Sequence, residues 1–275
     1  LRGGLQFATK DTRSPVDLNR KQFGPRFGFA HQLRSSTVMR GGYGIFWLPN
    51  NLQTANTGAN APAWSVSTPF VSSLDGGITT KDTLSNPYPN GILEPPGSAA
   101  GPETLIGQNL TIYMRGMTNA GYMQQWNFGI QHQLLRDLAV DVAYAGSKGT
   151  HLPADVRLDQ LAPQYLLLGN AMNSQVPNPF FGQVSSGTLA QPTVAAGQLA
   201  RPYPQFTAVT MGGAPVGSSV YHSLQAKVTK RFATSLMVVV YTFGKAIGDS
   251  ESRVTWSDGV SGGFMDDYNR RLDRS

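Results

Sequence analysis

The sequence predicts an all-β chain of antiparallel hairpins whose strands are long enough to cross a bilayer: a segment of a transmembrane β-barrel. Three observations carry this. Five segments alternate polar and apolar residues with a period of two, the pattern of strands with one wet and one greasy face, and a sixth, Leu236 to Phe243, is a short apolar run paired with the last of them. They fall into three pairs joined by turns of about three residues, and connections of about 70 residues separate the pairs. Lastly, no run approaches the ~18 apolar residues that a membrane helix needs. The longest, Leu236 to Tyr241, is far shorter.

The elements follow in order. Gly4 to Ala8 reads as a partial strand. Arg26 to Leu33 alternates through Phe27 and Phe29, turns at Arg34 to Ser36, and continues as Thr37 to Leu48. There Met39, Tyr43, Ile45 and Trp47 lie opposite Arg40, Gly42 and Gly44. From Tyr122 to Leu134 one face holds Met123, Gln125, Asn127, Gly129, Gln131 and Gln133. The other holds Tyr122, Trp126, Phe128, Ile130 and Leu134, with Gln124 and His132 as polar exceptions. A turn at Leu135 to Asp137 leads into Leu138 to Tyr144, where Leu138, Val140, Val142 and Tyr144 share a face. The third hairpin is Val220 to Phe232, a turn at Ala233 to Ser235, then Leu236 to Phe243. That makes seven strands, with open edges expected near Leu5 and near Val240.

The connections, about 50–121 and 146–219, are rich in Gly, Pro, Asn and Ser. They far exceed the usual ~12–15 residues of structureless loops. Within the second, Gln164 to Gln175 is expected to form a short helix. Tight turns at one end and long loops at the other are the layout of an outer-membrane barrel, with periplasmic turns and extracellular loops.

Charged residues are 14% of the 275, against 31 Gly and 18 Pro, a turn-rich profile poor in salt-bridged helices. The net charge of +6 is spread over single basic residues, without the cluster and interleaved aromatics of a nucleic-acid surface. No cysteine is present, which removes disulfides and thiolate metal sites and suits an exported protein. The chain opens on Leu1 without a signal segment and closes on Ser275 without a turn signal. Residues 1–275 are therefore expected to be one partial barrel domain cut from a longer protein.

Arg40, Gln125, Asn127, Gln131, Lys227 and Arg231 fall on polar faces and are candidates for the lumen wall. Trp47, Tyr122, Tyr144, Tyr221, Tyr241 and Phe243 are expected toward the long-loop end. There an amphipathic ring satisfies both phases at a membrane interface.

Six stretches resemble the barrel of TonB-dependent receptors of the Oar-like type. They are Phe23-Gly-Pro-Arg-Phe-Gly-Phe-Ala30, Arg40-Gly-Gly-Tyr-Gly-Ile-Phe46 and Gln124-Gln-Trp-Asn-Phe-Gly-Ile-Gln131, with Val140-Asp-Val-Ala-Tyr-Ala-Gly-Ser-Lys-Gly-Thr-His151, Arg201-Pro-Tyr-Pro-Gln-Phe206 and Tyr241-Thr-Phe-Gly-Lys-Ala-Ile247. The resemblance runs from about Phe23 to Asp249. It implies a 22-stranded barrel with an N-terminal plug, energised through TonB, in a class whose substrates include ferric siderophores, cobalamin and oligosaccharides. Neither plug nor TonB box lies in this stretch, so both are expected as partners, together with further strands and outer-membrane lipid. Gly244 and Gly248 stand where the family tends to have Ser and Asp.

Enzyme chemistry is not expected. His31, His132, His151 and His222 show no paired ligand spacing. Gly41-Gly42-Tyr43-Gly44 lacks the third glycine of a dinucleotide loop and lies inside a strand. Gly146-Ser147-Lys148-Gly149 fits neither a phosphate loop nor a nucleophile elbow and reads as a loop entry. Asp258 with Asp266 and Asp267 lacks the ligand spacing of a known calcium site. Catalytic, metal and cofactor residues are thus none, and no nucleic acid is expected. Two competing readings are an outer-membrane adhesin or scaffold barrel without energised transport, and a soluble secreted β-rich binding protein.

Overall fold

The computed structural model of the chain describes residues 3–13, 19–48, 63–66, 68, 70, 78–112, 119–184, 187–249 and 264–274. Among them nine strands are defined: β1 (Arg26–Arg34), β2 (Thr37–Trp47), β3 (Asn109–Ile112), β4 (Tyr122–Leu135), β5 (Leu138–Arg157), β6 (Gln175–Pro177), β7 (Thr193–Ala195), β8 (Ala208–Arg231) and β9 (Leu236–Gly248). Among the described residues, helices are confined to α1 (Pro163–Leu166), α2 (Ala196–Leu199) and a few single 3-10 turns. The chain divides into two units. One comprises Ser14–Asn51, Tyr113–Leu158 and Thr210–Ser275; the other comprises Leu1–Arg13, Leu52–Ile112 and Asp159–Val209.

The first unit is a hairpin sheet in the order β1-β2-β4-β5-β8, with β9 on β8, and every pair is antiparallel. β2 meets β4 from Thr37↔His132 to Trp47↔Tyr122 without a slip. β8 meets β9 equally cleanly from Ser219↔Gly248 to Arg231↔Leu236. Between β5 and β8 the register holds from Leu138↔Lys230 to Thr150↔Ser218 and then shifts three times before Arg157. In that irregular part Pro153 faces Pro215, and His151 has φ 54°. A proline has no N–H to give a ladder, so it settles where bulges already interrupt it.

Neighbouring turns are tied together. The Arg231 N–H donates to the Asp137 carbonyl at 2.8 Å, and Lys230 forms an ion pair with the Asp137 carboxylate. At the opposite end residues 264–274 are clasped to β5 and β8. Arg157 donates from its backbone N–H and its Nε to Asp267 at 3.0 and 2.8 Å, and Arg270 reaches the Val216 carbonyl at 2.9 Å.

The second unit has its own small core. Phe180, Leu189 and Val194 are buried, with Val176, Val184 and Leu199 packed against them. β6 and β7 pair antiparallel beside it. Asn178 stitches the surrounding turns: its amide donates to the Leu189 and Gln191 carbonyls at 2.8 and 2.7 Å, and its oxygen accepts from the Phe180 N–H at 2.9 Å. Arg201 pairs with the shielded Asp159 at 3.2 Å and also donates to the Thr207 carbonyl. The Thr207 N–H bonds the Gln108 carbonyl and sets β3 beside the start of β8.

Several expectations change. No strand forms over Gly4 to Ala8, so the edge of the hairpin sheet lies at β1, not near Leu5. A strand not expected from the sequence, β3, forms instead within the second unit. Gly146 to Gly149 is strand interior and not a loop entry, because β5 runs on to Arg157 and β8 begins at Ala208. The second connection therefore shrinks to 158–207. The helix expected over Gln164 to Gln175 splits into α1 and a 3-10 turn at Gly169–Asn173.

Two outcomes follow from these contacts. Asn178→Ala removes three hydrogen bonds from a buried site, a loss of about 1–3 kcal/mol per group left unpaired. Limited proteolysis should then cut faster within 160–207 while assembly of the sheet is unchanged. The second concerns pH. The hydrogen bond and charge of Lys230 hold the Asp137 carboxyl below its usual range, against a smaller desolvation effect. A carboxylate depressed on folding stabilises above its unfolded value and loses that as pH falls through the folded value. Between pH 7 and pH 2.5 the urea midpoint of the full-length protein should fall slightly further for the native protein than for Asp137→Asn.

Candidate functional site

The register fixes which side chains share a face. Residues directly opposite in an antiparallel ladder project the same way, so each row of partners can be followed across the sheet. One row runs Gly42, Asn127, Ala145, Ser223, Gly244, and the next Gly44, Gln125, Ser147, Tyr221, Ala246. Toward the turns the same face carries Arg40, Gly129, Ala143, Gln225 and then Val38, Gln131, Asp141, Lys227. All six candidates for the lumen wall, Arg40, Gln125, Asn127, Gln131, Lys227 and Arg231, stand on this polar face. Arg40 donates to the Gln131 side chain across β2 and β4. Asp141, which alternation places opposite Val140 and Val142, joins the row between Gln131 and Lys227, although it is not among the six lumen candidates.

The opposite face is greasy. Phe27, Met39, Tyr43, Ile45, Trp47, Trp126, Phe128, Ile130, Val140, Val142, Tyr144, Leu224 and Phe243 all project from it. Two glycines make room for rings. A Cβ on Gly41 would lie 2.7 Å from the Phe29 ring, and one on Gly146 would lie 2.5 Å from Nε1 of Trp126. The polar exceptions on this face satisfy one another across strands. Tyr43 donates to Gln124 at 2.8 Å, Thr37 and His132 share a hydrogen bond of 2.8 Å, and Tyr144 and His222 share one of 2.6 Å.

Burial is inverted relative to a soluble sandwich. Among the described residues, none of the buried apolar side chains lies within 26–47, 122–150 or 219–248. Phe128, Val142 and Phe243 are instead 44%, 45% and 68% exposed. Among the described residues, no buried apolar cluster covers the greasy face of the hairpins.

The greasy band also crosses the ladder obliquely. The row through Phe243 passes Leu224, Tyr144 and Phe128 and meets β2 at Gly41, yet apolar residues continue on β2 for six positions, to Trp47. At the other border the row through Met39 reaches β9 at Tyr241, and the band goes on there for four positions, to Met237. The mean drift of about five residues at ~3.4 Å, over four strand spacings of ~4.8 Å, is an angle of roughly 40°. Membrane barrel strands tilt by about 35–45°, so a band level with a bilayer must cross their hydrogen bonds at that angle.

The interface aromatics divide. Trp47 and Tyr122 are partners in one row with ring centroids 5.0 Å apart, on the greasy face at the long-loop end. Tyr144 and Phe243 lie at the upper border of the band on their own strands, and Tyr241 lies one row below. Tyr221 stands on the polar face, between Ser147 and Ala246, so it is not part of a girdle with the other five.

The four histidines sit on β1, β4, β5 and β8, and among the described residues no three potential metal ligands come together. Asp267 is engaged by Arg157, Asp266 accepts the Tyr268 N–H, and Asp258 lies outside the described residues.

A family model described as an outer membrane beta barrel domain matches residues 2–275. No curated protein matches. Among solved structures, the outer-membrane transporter YddB from Escherichia coli is similar, with 8% identity and a TM-score of 0.38. The match covers 78% of this chain and 18% of the transporter, so the chain spans less than a fifth of that protein's length.

Substitution tests the two faces. Phe128→Arg or Val140→Arg in the full-length protein should impair membrane assembly, since arginine on a lipid-facing strand position costs about 2–4 kcal/mol at mid-membrane. Asn127→Arg, one residue along and on the polar face, should assemble as the native protein does. Equal folding yields for Phe128→Arg and Asn127→Arg, read by gel mobility before and after heating, would reverse the assignment.

Proposed function

Because the chain belongs to the outer membrane beta barrel domain family, we propose that it is part of the wall of a TonB-dependent receptor of the Oar-like type, which takes up a solute across the bacterial outer membrane. The observation that carries the membrane side of this reading is the uncovered greasy band at roughly 40° to the ladder. The band faces lipid, and the Arg40–Gln131–Asp141–Lys227 face lines the interior. The Oar-like motifs carry the receptor side, with the plug and TonB contact supplied from elsewhere in the full protein. In this reading the chain performs no catalysis and holds no cofactor; it forms a path and a frame.

The scaffold reading has one observation in its favour, the separately packed core of Phe180, Leu189 and Val194 in the long connection, a surface that could bind without transport. Contact with TonB separates the two. The full-length receptor should cross-link to the periplasmic domain of TonB in cells. An epitope at Gly187, within the second connection, should be reached by antibody on intact cells. Labelling only after the outer membrane is broken would reverse the orientation. Absence of any TonB cross-link, with the epitope still outside, would favour the scaffold.

A further inference from the structure

We propose that the outward rim of this sheet at the long-loop end binds phosphate groups of outer-leaflet glycolipid headgroups, through Lys148 and Lys245 with His222 between them. The proposal rests on the membrane orientation given above. Lys148 pairs with Gln124 and Val220, and Lys245 pairs with His222, so both lysines project from the greasy face. They lie just past its border. On β5 the outward positions beyond Tyr144 are Gly146 and Lys148, and on β9 the first beyond Phe243 is Lys245. The row of Lys148 reaches β9 at Ile247, two positions from Lys245. Two strand spacings and two residues of offset separate their backbones by about 12 Å, a span that a phosphorylated disaccharide can bridge.

Charge and packing point the same way. The outward positions of β2, β4, β5, β8 and β9, followed through the paired rows, hold no Asp or Glu; Asp141 is on the other face, and the carboxylate of Asp249, just past the last paired row, is engaged by the N–H and hydroxyl of Ser218 at 2.5 and 3.2 Å. The cation at the turn end, Lys230, is paired with Asp137, whereas neither Lys148 nor Lys245 has a carboxylate partner among the described residues. Between the two lysines, the His222 ring stacks on Tyr144 with centroids 6.0 Å apart and bonds its hydroxyl at 2.6 Å. The Trp126 indole N–H lies 3.4 Å from the same hydroxyl, and Gly146 leaves room for the indole. A fixed tier of rings with polar edges beneath two unpaired ammonium groups suits the level where acyl chains give way to anionic headgroups.

The test uses the full-length protein, refolded into phosphatidylcholine vesicles that contain either bisphosphorylated lipid A or the same lipid with both phosphates removed. After extraction in mild detergent, mass spectrometry counts the glycolipid retained per protein. The native protein should retain the phosphorylated form at least fivefold better. Lys148→Gln or Lys245→Gln should each lower that preference about fivefold, as expected for one lysine at an anionic surface. The double variant should show none, while Lys227→Gln on the opposite face keeps the native preference. Equal retention of the two lipids by the native protein, or native retention by the double variant, would overturn the proposal. Failure to insert into either vesicle, seen as unchanged gel mobility on heating, would overturn the membrane reading itself and this proposal with it.

Discussion

Inside a bilayer no water is available to bond a backbone N–H or C=O, and each one left unpaired costs several kcal/mol. The unbroken ladders of β2 with β4 and of β8 with β9 answer that demand. Once the ladder is continuous, the two-residue period does the rest. Every side chain is committed to one face by the parity of its position, and a slip of one residue would turn the whole set inside out. The polar and greasy faces, the oblique band and the uncovered rings all descend from that single requirement.

Polar atoms on the greasy face meet the same demand on a smaller scale. Tyr43 with Gln124, Thr37 with His132 and Tyr144 with His222 each link neighbouring strands, so donors and acceptors that lipid cannot satisfy are satisfied within the sheet. On the other face small residues dominate the centre, as in the row Gly42, Asn127, Ala145, Ser223, Gly244. Charge gathers nearer the turns, in Arg40, Asp141 and Lys227. A face of that kind leaves space beside it where a greasy core would have filled it.

The hairpins were legible in the sequence because one face was greasy and the other was not. Trp126, Phe128 and Ile130 against Gln125, Asn127 and Gln131 state the strand, its face and its span at once. Legibility ended where that contrast ended. Past Tyr144 both faces carry small or polar residues, so the run from Gly146 to Thr150 resembles a loop although its backbone continues in register with β8. Parity carried beyond Tyr144 would have placed Lys148 on the outward face. Tyr221 shows the converse error, an aromatic grouped by its chemistry when its position put it among Ser147 and Ala246. The core of Phe180, Leu189 and Val194 was hidden for a third reason: its members are far apart in a stretch without periodicity, and Asn178 and the paired β6 and β7 bring them together.

The three register shifts beyond Thr150 have an evolutionary side. Within the membrane a single inserted residue is forbidden by parity, since it would expose arginine to lipid and leucine to the interior. Above Thr150 the count of residues on β5 and β8 has already ceased to match, and Pro153 and Pro215 face each other where strict pairing has been given up. Insertions and deletions of one residue, odd or even, can be absorbed there without reaching the rows below. The bulged stretch therefore works as a buffer between a wall whose residue count is fixed by parity and connections whose length is not.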